Sequence, residues 1–370
     1  MRVCIVTPYD LSCDGGVNRH ATSLARALAA LGHHVRVAGP ASGAVPEGCD
    51  ALGSAVPVAA NGSVARVGLL APERRTRDLL AAGRFDVVHV HEPLVPGPAR
   101  HALRVAAAPV VATFHCAAED EPLLQRAIRL AGAAPLARVA FAIAVSRAAK
   151  RFARAVHRGR IAVVPNGVDT ARFAPAGGSP RRLPGAPLRL LFVGRFGEPR
   201  KGFRVLLDAV ALLRRRGIAV ALRVAGDGGS AALARRCAAV APAFLGRLSD
   251  AALAAEYRAA DVFCAPSLGR EGFGLVLLEA MASGCPAVAS DIPGYAEAAR
   301  GAALLVPPGD ADALADALVR AAEDRVLRAR LVAAGCARAE ALSWSRIAGR
   351  VAAAYRAAGA AGAARPATAA

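Results

Sequence analysis

A chain of 370 residues exceeds what one hydrophobic core ordinarily organises and fits two domains. Hydrophobic residues make up 55% but aromatics only 4%, so the cores must be built from Ala, Val and Leu. The net charge of +19 favours anionic partners, yet the arginines are spread along the chain and stacking residues are few, which argues against nucleic acid.

Eight cysteines occur without a CxxC pair or metal spacing, a pattern of reduced thiols in a cytosolic setting. "MRVCIVTPYD" runs directly into an apolar strand, with none of the features of a signal peptide. No apolar run is long enough to span a bilayer, so membrane contact is expected to be peripheral, on the cytoplasmic side.

The first strand is "RVCIVTP", and "GGVNRHATSLARALAALGH" then opens an amphipathic helix with Leu24, Leu28 and Leu31 on one face. Gly32 ends it and "HVRVAGP" is the next strand. "FDVVHVHEP", "PVVATFHC" and "VAFAIAVS" read as three further strands between helical segments. Residues 163–187 are rich in Pro, Gly and Arg and read as a linker.

Alternation then resumes with "LRLLFVGR", "AVALRVAGDG", "VFCAPS", "CPAVASDIPG" and "AALLVPPG" as strands. Strands alternating with helices predict two doubly wound α/β, Rossmann-like domains, with a ligand cleft at the carboxyl ends of their strands. The expected division is 1–168, joined by a C-terminal helix at about 346–358, and 169–345. A low-complexity tail at 359–370 is expected to be disordered.

Three segments carry candidate chemistry. Gly15 and Gly16 join a strand to a helix, where glycine lets an anion approach outward-pointing N–H groups; a plain tight turn would look the same. In "GRFGEPRKG", Arg195, Arg200 and Lys201 follow a strand end, and one of only two lysines in the chain falls here. An arginine fork and a lysine point charge suit a diphosphate better than they suit a solvated loop.

In "GREGFGLVLLEAMASG", Gly272, Phe273 and Gly274 open a helix whose N–H groups could hold a distal phosphate. Glu271 lies at the mouth and Glu279 within the apolar run, where a carboxylate needs a partner; ribose hydroxyls are suitable donors.

These segments, with "FDVVHVHEP", "VPNGVDTARF" and "AGDG", resemble the family 4 glycosyltransferases, retaining enzymes of the GT-B fold. "TPYD", "NGSVAR", "HEP" and "EPRKG" resemble the phosphatidylinositol α-mannosyltransferase subgroup, which uses GDP-mannose. The resemblance implies catalytic roles for His115, Arg195, Lys201 and Glu271. Donor contacts would come from Gly15, Gly16, Arg195, Lys201, Glu271, Gly272, Phe273, Gly274 and Glu279, and acceptor contacts from Tyr9, Asn61, Ser63 and Arg66. It implies neither metal nor other cofactor, the nucleotide-diphosphate sugar being a substrate.

Two departures bear on the acceptor. Ala60 stands where the subgroup has a tyrosine, and Glu119 and Asp120 follow His115 where it has a lysine. Those carboxylates would repel an anionic acceptor phosphate; the expected acceptor from the resemblance is still phosphatidylinositol or a related lipid at the inner membrane face, with a soluble polyol or inositol phosphate and a UDP-sugar as the alternative. A nucleotide-sugar binder without catalysis is the reading of another class.

Weaker signals complete the survey. His89 and His91 share one strand face, but a third metal ligand is not evident. Asp310 and Asp312 open a helix, so capping is preferred over a metal-binding DxD. Arg74, Arg75 and Arg77 in "ERRTRDLL" could touch anionic headgroups. "LLRRRG" reads as a basic helix end.

Overall fold

The computed structural model describes residues 1–13, 15–60, 63–116, 134–175, 185–229 and 231–363. It divides into two compact units, Met1–Gly167 with Trp344–Ala370, and Val168–Ser343.

The first unit is built on nine strands: β1 Arg2–Val6, β2 His34–Gly39, β3 Cys49–Ala51, β4 Val56–Ala60, β5 Ser63–Val67, β6 Val87–His91, β7 Val110–Phe114, β8 Val139–Ala144 and β9 Ile161–Val163. Seven form one parallel sheet in the order β3-β2-β1-β6-β7-β8-β9. β1, β6 and β7 are almost wholly buried and correspondingly read as Val-rich runs without alternation. The order reverses between β1 and β6, which places a switch point there.

Helices α1 Gly16–Ala30, α2 Glu73–Gly83, α3 Pro98–Val105 and α4 Arg147–Arg154 belong to this unit. In α1, Leu24 and Leu28 are buried, but Leu31 caps the helix end and is 48% exposed. The expected face therefore stops one turn earlier, because Gly32, at φ 83°, turns the chain away. β4 and β5 pair as an antiparallel hairpin apart from the main sheet, an element the sequence reading lacked.

The second unit carries β10 Leu188–Val193, β11 Val220–Ala225, β12 Ala243–Gly246, β13 Val262–Ala265, β14 Ala287–Ser290 and β15 Leu304–Val306. All are parallel, in the order β12-β11-β10-β13-β14-β15, with the switch point between β10 and β13. Its helices are α5 Phe203–Arg215, α6 Ala231–Val240, α7 Asp250–Ala259, α8 Leu275–Ala282, α9 Pro293–Ala299, α10 Ala311–Glu323 and α11 Arg325–Ala341. Leu190, Phe192, Phe203, Leu206 and Leu207 lie at the heart of its core. Asp310 accepts the backbone N–H of Ala313 at 2.9 Å, so it is the cap of α10.

The last helix, α12 Trp344–Ala363, returns to the first unit and packs on α1 and β8. It runs through residue 363, so residues 359–363 of the expected disordered tail are helical: the Ala-rich composition that reads as low complexity is also the best helix former. Among the described residues no helix is long and apolar enough to cross a membrane, and no disulfide is present; all eight cysteines are free.

Candidate active site

On the first unit, functional side chains gather where β1, β6 and β7 end beside the switch point. Gly15 caps α1 with an extended backbone (φ −163°), and Gly16 is its first residue. A Cβ built on either glycine meets nothing within 4 Å. Neither is demanded by backbone or packing, which leaves room for a ligand as the reason for glycine here.

Asp10, fully buried, accepts from Ser12 N–H, Ser42 N–H at 3.1 Å and Arg66 Nε at 2.9 Å. Burial works against its charge, but these donors hold its carboxyl well below the usual carboxylate range. Arg66 is thereby fixed at the foot of β5, its guanidinium also reaching Ala55 O. Tyr9 is half-buried and bridges Val67 of the same hairpin; burial, then Glu92, pushes its phenol up. Ser63 begins β5. Asn61, Glu119 and Asp120 lie outside the described residues.

Four histidines converge next to this loop. His89 is engaged at both nitrogens, by Tyr355 OH at 2.8 Å and Thr113 Oγ1 at 2.6 Å. His91 Nδ1 meets His115 Nε2 at 2.8 Å, and His20 Nδ1 meets Asn166 Oδ1 at 2.9 Å. Burial drives all four towards the neutral form, His20 down to about 4 and His89 to about 3, and the neighbouring imidazoles add to the effect on His91 and His115.

His115 is further held through its backbone: its N–H donates to Glu92 Oε1 at 3.0 Å. Glu92 is buried in a left-handed conformation (φ 47°), and burial raises its carboxyl to about 7 despite that donor. Glu92 and His20 are site residues that sequence reading passed over, and His91 was weighed there only as half of a metal pair with His89. The only prior signal was the motif pair "HVHEP" and "GGVNRH".

On the second unit, the cationic loop follows β10 and the glutamate loop follows β13, the two strands that flank its switch point. Lys201 Nζ and Arg200 Nη1 both reach Glu271 Oε1, at 2.6 and 2.7 Å, and Ser267 Oγ adds a contact at 3.3 Å. Burial alone would raise the Glu271 carboxyl; Lys201 and Arg200 reverse that and lower it. Glu198 pairs with Arg195 and with Arg200, each at 2.9 Å. Arg195 is half exposed, whereas Arg200 and Lys201 are mostly covered.

The loops are held by glycine. Gly202 has φ 67°, and a Cβ there would lie 1.8 Å from Pro266 O. Gly274 caps α8 at φ 108°, facing the Tyr295 ring, whose hydroxyl bonds Ser267 at 2.8 Å. Phe273 is buried between them in sequence, so it anchors the loop, while Gly272 remains partly open. Glu279, buried in α8, takes the Tyr257 hydroxyl at 3.1 Å. The partner that burial requires is therefore protein, 22 residues away in sequence.

The arrangement offers two things: cations beside a carboxylate at a strand end, suited to a phosphorylated sugar, and neutral imidazoles on the other unit. Comparison with known proteins identifies the family. Residues 14–172 match the model described as Glycosyltransferase Family 4, and residues 187–324 that of Glycosyl transferases group 1. A phosphatidyl-myo-inositol mannosyltransferase of Mycobacterium leprae is 40% identical, covering 95% of each chain. One from Mycolicibacterium smegmatis is 40% identical over 95% of this chain and 92% of its own.

Among solved structures, a sucrose-phosphate synthase from Thermosynechococcus elongatus has a TM-score of 0.74 at 25% identity, covering 96% of this chain and 98% of that one. Anabaena HepE with UDP and glucose has a TM-score of 0.73 at 20% identity, covering 95% and 98%, and shares the fold. With two Rossmann-like units of the GT-B class and full-length likeness to these mannosyltransferases, the chain belongs to glycosyltransferase family 4 and is a hexosyltransferase.

Proposed function

We propose that the protein transfers mannose from GDP-mannose to a hydroxyl of phosphatidylinositol, with retention of anomeric configuration, at the inner face of the membrane. The observation that carries this reading is 40% identity over 95% of both chains to a phosphatidyl-myo-inositol mannosyltransferase. The charged and imidazole side chains at the strand ends are compatible with it.

Arg195, Arg200 and Lys201 would take the donor diphosphate. As the sugar–phosphate bond breaks, charge develops on the leaving diphosphate, and fixed cations stabilise it without reorganising. On this reading these three cations, rather than a divalent metal, would neutralise the leaving group. Glu271, the carboxylate they hold in the free enzyme, would turn to the hydroxyls of the transferred sugar, and Glu279 would meet the ribose. The N–H groups of Gly15, Gly16, Gly272 and Gly274 would contribute phosphate contacts. His115 would sit beside the anomeric carbon, its neutral imidazole able to accept a hydrogen bond.

On the acceptor side, Arg66, Tyr9, Ser63 and Asn61 would recognise inositol phosphate. Membrane contact would come from α2, where Arg74, Arg75 and Arg77 are exposed beside Leu70, itself 80% exposed.

The deciding experiment supplies GDP-mannose with either phosphatidylinositol vesicles or soluble inositol phosphates. Transfer to the vesicles supports the reading. Product from the soluble acceptors alone, or from a UDP-sugar alone, would replace the acceptor or the donor.

A further inference from the structure

We infer that His20, His91 and His115 form a chelating site for one zinc-class transition-metal cation, and that its occupation blocks sugar transfer. The second half rests on the reading of His115 given above; the first does not.

The three rings come from different elements, α1, the end of β6 and the residue after β7, and close into a near-equilateral triangle. Their centroids lie 5.2, 4.8 and 5.1 Å apart. One nitrogen from each lies within 4.8 Å of the others. "HVHEP" thus contributes one ligand, His91, and α1 and the residue after β7 contribute the other two.

The surroundings suit a metal. His20 presents Nδ1 to the Asn166 carbonyl oxygen, which only accepts, so with the amide in this orientation Nδ1 carries the proton and Nε2 keeps a bare lone pair. An outer carbonyl that fixes the tautomer is what a metal-ligating imidazole ordinarily has. Between His91 Nδ1 and His115 Nε2, at 2.8 Å, there is room for one proton. The other nitrogen of His91, Nε2, is buried without a hydrogen-bond partner among the described residues, so this ring is under-satisfied in the free protein.

A cation that replaces the shared proton meets two lone pairs where the free protein pairs one with an N–H. The displaced proton moves to the far nitrogen of the same ring, so the proton count is unchanged. With metal–nitrogen bonds of about 2.0–2.1 Å, tetrahedral ligand nitrogens stand roughly 3.4 Å apart. His91 and His115 must separate by about half an ångström, and His20 must close in. His115, only partly buried and just past the end of its strand, is the ring that would shift to admit an ion.

His89 is excluded because Tyr355 and Thr113 occupy it, but its ring packs on His91 at 4.4 Å and holds it. Three imidazoles select zinc, cobalt, nickel or copper over magnesium and calcium.

The test titrates the full-length, thiol-reduced protein with Co2+ and reads visible absorption. Expected is one equivalent with tetrahedral ligand-field bands and no sulfur charge-transfer band, which separates this site from the cysteines. A His33→Ala variant removes the pairing of the terminal amine with His33 and should change nothing. His91→Gln and His20→Gln should each weaken binding at least tenfold, and Zn2+ should raise the Tm of the parent but not of His91→Gln.

No tetrahedral spectrum at equimolar Co2+, or unchanged binding in both glutamine variants, overturns the site and leaves the proposed function standing. In the transfer assay Zn2+ should inhibit, a chelator should restore activity and Mg2+ should do neither. Full activity with the site loaded would retain the site and overturn both the blockade and the place given to His115.

Discussion

The Lys201 ammonium lies 2.6 Å from the Glu271 carboxylate, and that same oxygen also takes Arg200. If the cations take the donor diphosphate as proposed, this carboxylate competes with it for them. Glu271→Gln should therefore split donor recognition. A nucleoside diphosphate without its sugar should bind more tightly, by several-fold, because a competing charge is gone, while kcat/KM for the sugar nucleotide should fall by at least tenfold. Calorimetry with GDP beside steady-state kinetics checks both; equal losses for the two ligands would refute the competition.

Lys201→Ala should lower turnover by about 10²–10³, the scale for losing one charge-stabilising donor at a reacting oxygen, with Tm nearly unchanged. Near-normal turnover would remove Lys201 from the chemistry.

Gly16→Ala and Gly202→Ala should separate ligand from fold. A Cβ at Gly16 meets nothing within 4 Å, so Tm should hold while activity falls. At Gly202 the left-handed backbone and the Pro266 carbonyl both oppose a side chain. Strain alone should cost about 1–3 kcal/mol, and the melting curve should show it. Unaltered activity in a folded Gly16→Ala protein would argue against phosphate contact there.

The extent to which this site was readable follows from how each contact is made. Strand ends were legible because β1, β6, β7, β10 and β13 are apolar runs closed by glycine, proline or polar residues, so the loops with Arg195, Lys201 and Glu271 could be placed. Which charge meets which could not be seen: Arg200 with Glu271 spans 71 residues of chain. The need of Glu279 for a donor was legible from its apolar neighbours; Tyr257 was not, since it lies on another helix. The hairpin β4–β5 was lost because Val56, Val58 and Ala60 are interleaved with Pro57 and Ala59, too little contrast for alternation to register.

Acidification should weaken the first unit through Asp10. Its folded carboxyl sits below the ordinary value of 3.8, so the stability it contributes is fully present above that value and is lost as pH falls further. Asp10→Asn should abolish that part of the acid dependence. It should also free Arg66 and raise KM for the acceptor with little effect on donor KM. Parallel acid-unfolding curves for parent and variant would refute the linkage.

Arg74→Glu with Arg75→Glu should reduce sedimentation with anionic vesicles by at least tenfold, in a salt-sensitive manner, and leave binding of GDP-mannose intact. Leu70→Asp should weaken vesicle binding even at high salt. Unchanged sedimentation in both would move the contact surface elsewhere.

Tyr355 donates to or accepts from His89 at 2.8 Å, although 266 residues separate them, because α12 completes a unit that β1 begins. On the ribosome this makes the first half to emerge the last to finish. The segment 168–343 is contiguous, its two ends bridged at Val168 and Ser343, and it can close while translation continues. The histidine-bearing half must wait for the codons of α12. A stop codon ahead of Trp344 would thus release a chain whose second unit is whole and whose opening sheet has lost the helix that covers it.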